Sequence, residues 1–313
     1  MIDKKKVRSL LQIAGSIIGL ILIMIQIKNG ILGFKENQVG FLNVRYLFFS
    51  LLFATIALFF QILGWNKIFS FIGINLPLRK VLFGYTFTFL PRYIPGTIWG
   101  YLTRSEWLLK IYDIPYKTSI FVSFMEMIII FITNLVLGSF IFYYSTKNLL
   151  LLLIPIILPF FTFILIKYLS TRPIGNKYVI NNYLRLNFSS WSIIFFIFII
   201  SWIFYGIGLI FSISSFSIVE KIDLNFVLLV TSINSFSWII GFIVFFIPAG
   251  IGIRETILNY LLINLLFLPV NLSSSIAITN RIITLFAELI LLICSYFLKP
   301  NNPNLNGFLK SNN

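Results

Sequence analysis

Eight ionisable side chains sit inside or beside stretches that are otherwise apolar: Arg92, Arg104, Glu106, Glu126, Arg254, Glu255, Arg281 and Glu288. A charge at the centre of a membrane helix costs on the order of 2.5 kcal/mol or more on insertion scales. Four arginines and four glutamates can cancel, so mutual pairing is the obvious way to make them tolerable. Pairing that only locks helices together is one reading, since buried ion pairs often serve specificity. The other is a site. A guanidinium presents a fork that suits phosphate, and carboxylates beside it can orient the fork or exchange protons. All eight are therefore candidate substrate-binding residues. Histidine is absent, which removes the commonest general base and neutral metal ligand. No catalytic residue, metal or cofactor is assigned.

Two proline–glycine breaks accompany these charges. One reads Ile94-Pro95-Gly96, followed by Arg104 and Glu106; the other reads Ile247-Pro248-Ala249-Gly250-Ile251-Gly252, followed by Arg254 and Glu255. Pro95, Gly96, Pro248, Gly250 and Gly252 are expected hinges. Each break opens a new helix, whose free N–H groups and positive dipole end favour anions. Paired, broken segments in the two halves of a chain point to inverted repeats with a site between them. The echo is short and its spacing differs, so repeat and coincidence both fit.

The elements that must position these residues are membrane helices. Of 313 residues, 59% are hydrophobic and 11% charged, against roughly 25% charged in soluble domains. Apolar runs near the ~20 residues needed to cross a bilayer recur, and no period-two alternation favours a barrel. The expected fold is all-α, a polytopic bundle in one membrane domain over 1–299. Full spans are expected at about 9–27, 46–65, 118–143, 148–168, 191–211 and 275–298. Two broken re-entrant hairpins fill 81–110 and 226–268, although full-length helix pairs would leave the loops on the same sides. Gly15 and Gly19 read as helix packing. Residues 300–313, rich in Asn and Pro, read as a disordered tail. Cys294, within an apolar run, reads as a small buried hydrophobe.

Several helices carry a polar face. Glu126 shares one with Ser119, Ser123 and Thr133; Arg281 and Glu288 are seven apart; Thr231, Asn234, Ser235 and Trp238 follow helical spacing; Ser201, Tyr205 and Gly208 share another. The net charge of +15 is explained by topology rather than by nucleic acid: with both termini cytoplasmic, most Lys and Arg fall on the cytoplasmic side of a cell membrane.

The stretch Pro91-Arg92-Tyr93-Ile94-Pro95-Gly96 with Arg104 and Glu126, the stretch Pro248-Ala249-Gly250-Ile251-Gly252-Ile253-Arg254-Glu255, and Asn280-Arg281 with Glu288 together resemble the lysylphosphatidylglycerol synthase transmembrane, or flippase-like, family. The second block resembles its P-x-G-x-G-x-R-E signature. Family members usually carry Gly near the position of Ala249, and the bulky Trp99 and Tyr101 lie near the first break. The resemblance covers about residues 1–300 and implies the lipid-translocating part, without the soluble aminoacyl-transferring domain of the bifunctional members. The expected function is binding or moving an anionic phospholipid or polyprenyl-phosphate-linked lipid. An intramembrane transferase on a lipid-linked substrate, or a non-catalytic partner of a synthase or glycosyltransferase in surface-polysaccharide export, are the alternatives.

Overall fold

The computed structural model describes residues 17, 20–31, 42–89, 91, 99–171, 188–216, 222–244 and 247–298. They form an all-α bundle: α1 (Leu20–Ile31), α2 (Val44–Phe71), α3 (Leu78–Phe87), α4 (Trp99–Tyr112), α5 (Tyr116–Gly138), α6 (Phe140–Thr146), α7 (Ile154–Thr171), α8 (Phe188–Ser214), α9 (Leu224–Ile243), α10 (Ile253–Leu266) and α11 (Val270–Phe297). Among the described residues five helical stretches are long and apolar enough to cross a membrane: Val44–Phe71, Tyr116–Thr146, Phe188–Ser214, Leu224–Ile243 and Val270–Phe297. Backbone in such a setting must satisfy itself internally, which is why the spans are helical. The tail from 300, Gly15, Gly19, Arg92, Pro95 and Gly96 lie outside the described residues.

The centre of the bundle is the antiparallel pair α2–α8. Ser50 Oγ donates to the Gly208 carbonyl at 2.7 Å, Ser201 Oγ donates to the Ala57 carbonyl at 2.8 Å, and Gly64 lies under the Phe198 ring. Numbers rise along α2 as they fall along α8. Small residues let the two backbones approach, and hydroxyls cross-link them without leaving a polar group unpaired. The face Ser201–Tyr205–Gly208 is thus divided: Ser201 and Gly208 serve α2, and Tyr205 turns elsewhere.

Two pairs of helices fold back on themselves, α3–α4 and α9–α10; α9, expected as one limb of a hairpin, is itself long enough to cross a membrane. In the first, Lys80 Nζ stands 5.0 Å from the Tyr112 ring, Gly84 abuts Trp107, and Arg104 reaches Thr88. So α3 and α4 begin and end at the same end of the bundle. Arg79 donates to the carbonyl of Leu298, which places the end of α11 there too. In the second pair, Gly241 of α9 touches Arg254 of α10. At the far end, Asn43 N–H donates to the Ser215 carbonyl at 2.8 Å, and Gly30 of α1 abuts Ser275 of α11.

One turn occurs twice. After α4 comes Asp113 with φ 53°, then Ile114, then Pro115; after α10 comes Phe267 with φ 53°, then Leu268, then Pro269. Ile114 N–H bonds the Leu108 carbonyl, and Leu268 N–H bonds that of Leu262. Each is a helix end closed by a left-handed residue and stopped by proline, which then starts the next helix. The Cys294 thiol lies on the exposed flank of α11 rather than buried, because hydropathy alone does not say which side of a span faces lipid.

Gly206 of α8 faces Thr231 of α9 so closely that an added Cβ would lie 2.0 Å from Oγ1 and 2.8 Å from Thr231 Cα, whereas at Gly138 the nearest atom is 3.6 Å away. Gly206→Ala is therefore expected to lose about 1–3 kcal/mol through overpacking, and Gly138→Ala much less; thermal unfolding in detergent micelles compares them.

Candidate functional site: a charged cavity between two helix tips

The first cluster forms where α3 ends. Tyr85 and Thr88 lie three apart and point the same way. Arg104, one turn into α4, donates from Nη1 to Glu126 Oε2 at 2.6 Å and from Nε to Thr88 Oγ1 at 3.3 Å. Tyr85 Oη donates to the other Glu126 oxygen at 2.7 Å. Both members of the ion pair are buried, with side-chain exposures of 3% and 1%. The guanidinium carbon stands 4.1 Å from the Tyr85 ring centre and 4.8 Å from that of Trp65, so aromatic faces share the desolvated cation. A buried ion pair holds only when it is further supported by hydrogen bonds, and here Thr88 takes the Nε proton while Tyr85 serves the second carboxylate oxygen.

The second cluster forms where α10 begins. Ala249, Gly250 and Gly252 have φ of 50°, 65° and 84°. The left-handed region costs an L-residue roughly 1–2 kcal/mol, which explains both glycines and why glycine would also suit position 249. Gly250 has a second reason: a Cβ there would sit 2.8 Å from the Gly241 carbonyl oxygen. The break lets Gly252 N–H donate to Glu255 Oε2 at 2.6 Å, so the carboxylate caps its own helix. The other oxygen faces Arg281 Nε at 3.2 Å as an ion pair without hydrogen-bond alignment. Arg281 also donates to the Ala249 carbonyl at 3.3 Å, and Arg254 donates to Asn234 Oδ1 at 3.4 Å.

Between the clusters lies a cavity of about 130 Å³. Gly100 and Tyr101, from the first turn of α4, meet Gly241, Gly250 and Arg254, from the tip of α9–α10. Arg104, Glu126, Arg254, Arg281 and Glu288 all line it, so three arginines face two carboxylates, a formal excess of one positive charge. The first turns of α4 and α10 both face this space, which adds partial positive charge. Among the described residues no three His, Cys, Asp or Glu side chains gather as a metal would require. The arrangement suits an anionic group.

Of the eight charged residues expected at the site, five line the cavity. Glu255 stands behind them, holding Arg281 and the Gly252 amide. Glu106 does not join them: its side chain is 47% exposed and pairs with Lys110 at 2.8 Å. Two residues beyond Arg104 is about 200° around a helix, so the two cannot share a face. Arg92 is outside the described residues. The sequence reading missed Tyr85, Trp65 and Gln61; Gln61, a polar residue within an apolar span, was the available signal. Tyr205 and Trp238 were read on polar faces and do line the cavity, while Asn234 supports it through Arg254.

Replacing one member of the first ion pair leaves a buried charge without its partner. Arg104→Leu is expected to destabilise by about 3–5 kcal/mol, whereas Arg104→Met combined with Glu126→Leu stays near wild type; thermal unfolding in detergent ranks the two variants.

No protein-family model matches this chain and no curated protein matches it, so its likeness to the flippase-like family rests on the residues named above.

Proposed function

We propose that this chain is a flippase-like membrane protein that binds and translocates a lipid through its phosphate-bearing headgroup, either an anionic phospholipid or a polyprenyl-phosphate-linked lipid. The observation that carries the reading is the convergence of Arg104, Arg254 and Arg281 from three helices on one cavity inside an apolar bundle. Helix packing alone needs small residues, as α2 and α8 illustrate; it gives no reason to gather unlike charges around a space. The volume argues for a headgroup. An engineered cavity of about 150 Å³ holds one benzene, so ~130 Å³ takes a phosphate-sized group and leaves acyl or prenyl tails in the surrounding lipid.

In this reading the chain is an inverted repeat, α2–α5 matched to α8–α11, with α3–α4 and α9–α10 as re-entrant hairpins from opposite faces. The doubled turn before Pro115 and Pro269 supports it, since the two are 154 residues apart along equivalent connections. The antiparallel α2–α8 pair supports it as well, because an axis in the membrane plane reverses whatever it relates. Contacts also come in matched sets: α5 with α9 and α11 with α3, α5 with α8 and α11 with α2, α4 with α5 and α10 with α11. Arg79 beside Leu298 gathers the basic connector and the end of α11 at one end, which the charge rule assigns to the cytoplasm.

Purified protein in vesicles should move a fluorescent anionic phospholipid between leaflets. Arg254→Ala should abolish most of that movement while keeping the wild-type melting temperature. Equal inertness of wild type and variant across phosphatidylglycerol, phosphatidic acid and undecaprenyl phosphate vesicles would overturn the reading.

A further inference from the structure

Buried hydroxyls in this bundle generally find a partner. Ser201 and Ser50 cross to a neighbouring helix, and Ser105, Thr133, Ser232 and Ser295 return to their own backbone. On α5 the pattern breaks: Ser119 and Ser123 are buried, 0% and 3% exposed, and their Oγ atoms bond nothing. They stand seven and three residues before Glu126, on its face of the helix. Thr118, beside them, is also unpaired. Tyr112, Thr231, Ser235 and Ser274 share the property, and the Thr231 hydroxyl lies directly against Gly206. The α5 pair differs in preceding a buried carboxylate, Glu126, on one face of its own helix.

The line has two ends. Ser119 is in the first turn of α5, next to the exposed Tyr116 and Lys117 at the basic end of the bundle. Glu126, about 10 Å further along at 1.5 Å per residue, lines the central cavity. Side chains one turn apart on a helix are separated by about 5–6 Å, roughly twice a hydroxyl hydrogen bond. That is the spacing one intervening water would bridge, and each hydroxyl can accept one hydrogen bond and donate another.

We propose that Glu126 is the binding site of a coupling proton, reached from the basic end of the bundle along Ser119 and Ser123. As the coupling of lipid movement this rests on the transport reading above; as a proton site it stands without it. A hydronium at the basic end gives up a proton, each hydroxyl passes one on, and Glu126 Oε2 receives it. An O–H bond forms and the carboxylate charge is lost. Arg104 keeps its own charge, with Thr88 and the Tyr85 and Trp65 rings still beside it. The cavity lining then rises from a formal +1 to +2, and the Arg104 fork is released for a phosphate. Loss of the proton restores the ion pair and expels the anion.

The surroundings single out this carboxylate. Tyr85 and Arg104 contact it directly. Tyr101, Tyr205, Arg254, Arg281 and Glu288 face it across the cavity, while α2 offers Gln61 and α9 no ionisable group. Glu255 is committed to the Gly252 amide and Arg281. Beyond Glu288 on α11, Ser295 is bonded to Thr86 and to the Leu292 carbonyl, so among the described residues no serine follows that carboxylate unpaired on its own helix.

Infrared difference spectroscopy of the full chain in lipid nanodiscs, after a rapid drop in pH, reads the site without any lipid transport. The wild type should develop a protonated-carboxyl C=O band that Glu126→Gln lacks. Ser119→Ala/Ser123→Ala should reach the same final band but lose its fast phase, and should melt close to the wild type, because neither hydroxyl bonds another group of the protein. A band that persists in Glu126→Gln overturns the proton site, and a fast phase surviving in the double serine variant overturns the route. Both signals appearing in a protein that moves none of the three lipids would support the proton site and sink only the transport reading.

Discussion

The constraint on which this bundle depends is that a charge surrounded by apolar helices must meet its opposite there. Unpaired, each charged group disfavours insertion by about 2.5 kcal/mol or more. Arg104 on α4 meets Glu126 on α5, and Glu255 on α10 meets Arg281 on α11. These ties fix more than themselves. They require the second limb of each folded-back pair to lie against the long helix that follows it. The turns closed by Asp113 and Phe267 make that possible, because each reverses the chain within three residues.

The two ties are alike in placement and opposite in sign. In one the arginine is on the short limb and the glutamate on the long helix; in the other the signs are exchanged. Equivalent placement with exchanged charge leaves both clusters locally neutral while letting each contribute an arginine to the same space. Arg254, which donates to Asn234, adds a third. The cavity lining thus carries three arginines against the carboxylates of Glu126 and Glu288, and the opening turns of α4 and α10 act in the same sense.

Much of this was legible in the sequence, for a physical reason. Hydropathy reports how much of a helix is apolar, and the spans around 46–65, 118–143, 191–211 and 275–298 are found where expected, although α2 runs on past Lys67 and α9 stops at Ile243 rather than 247. Positive-φ positions at Gly250 and Gly252 were foreshadowed by the glycines themselves. Azimuth was less legible. Glu106 looked equivalent to Arg104 because both interrupt one apolar stretch, yet a two-residue step turns it outward to Lys110. Cys294 was misjudged in the same way. Tyr85 was missed because an aromatic in an apolar segment is ordinarily packing; only its 2.7 Å bond to Glu126 reveals that its hydroxyl matters.

Arg104 cannot give the same Nη1 proton to Glu126 and to an incoming phosphate. A ligand changes a protein's state only through a difference in its affinity for the two states. If Glu126 stays ionised, a second anion must compete for a cation already paired at 2.6 Å and must enter beside a fixed negative charge. The cavity would then hold phosphate chiefly through Arg254 and Arg281. If Glu126 is neutral, all three arginines act together and the competing charge is gone. Binding of the anion and of a proton are then favourable together and unfavourable apart, which is reciprocal coupling between two ligands at one site. Glu126, buried and preceded on its own face by Ser119 and Ser123, therefore sits where loss of its charge would most change what the cavity can hold.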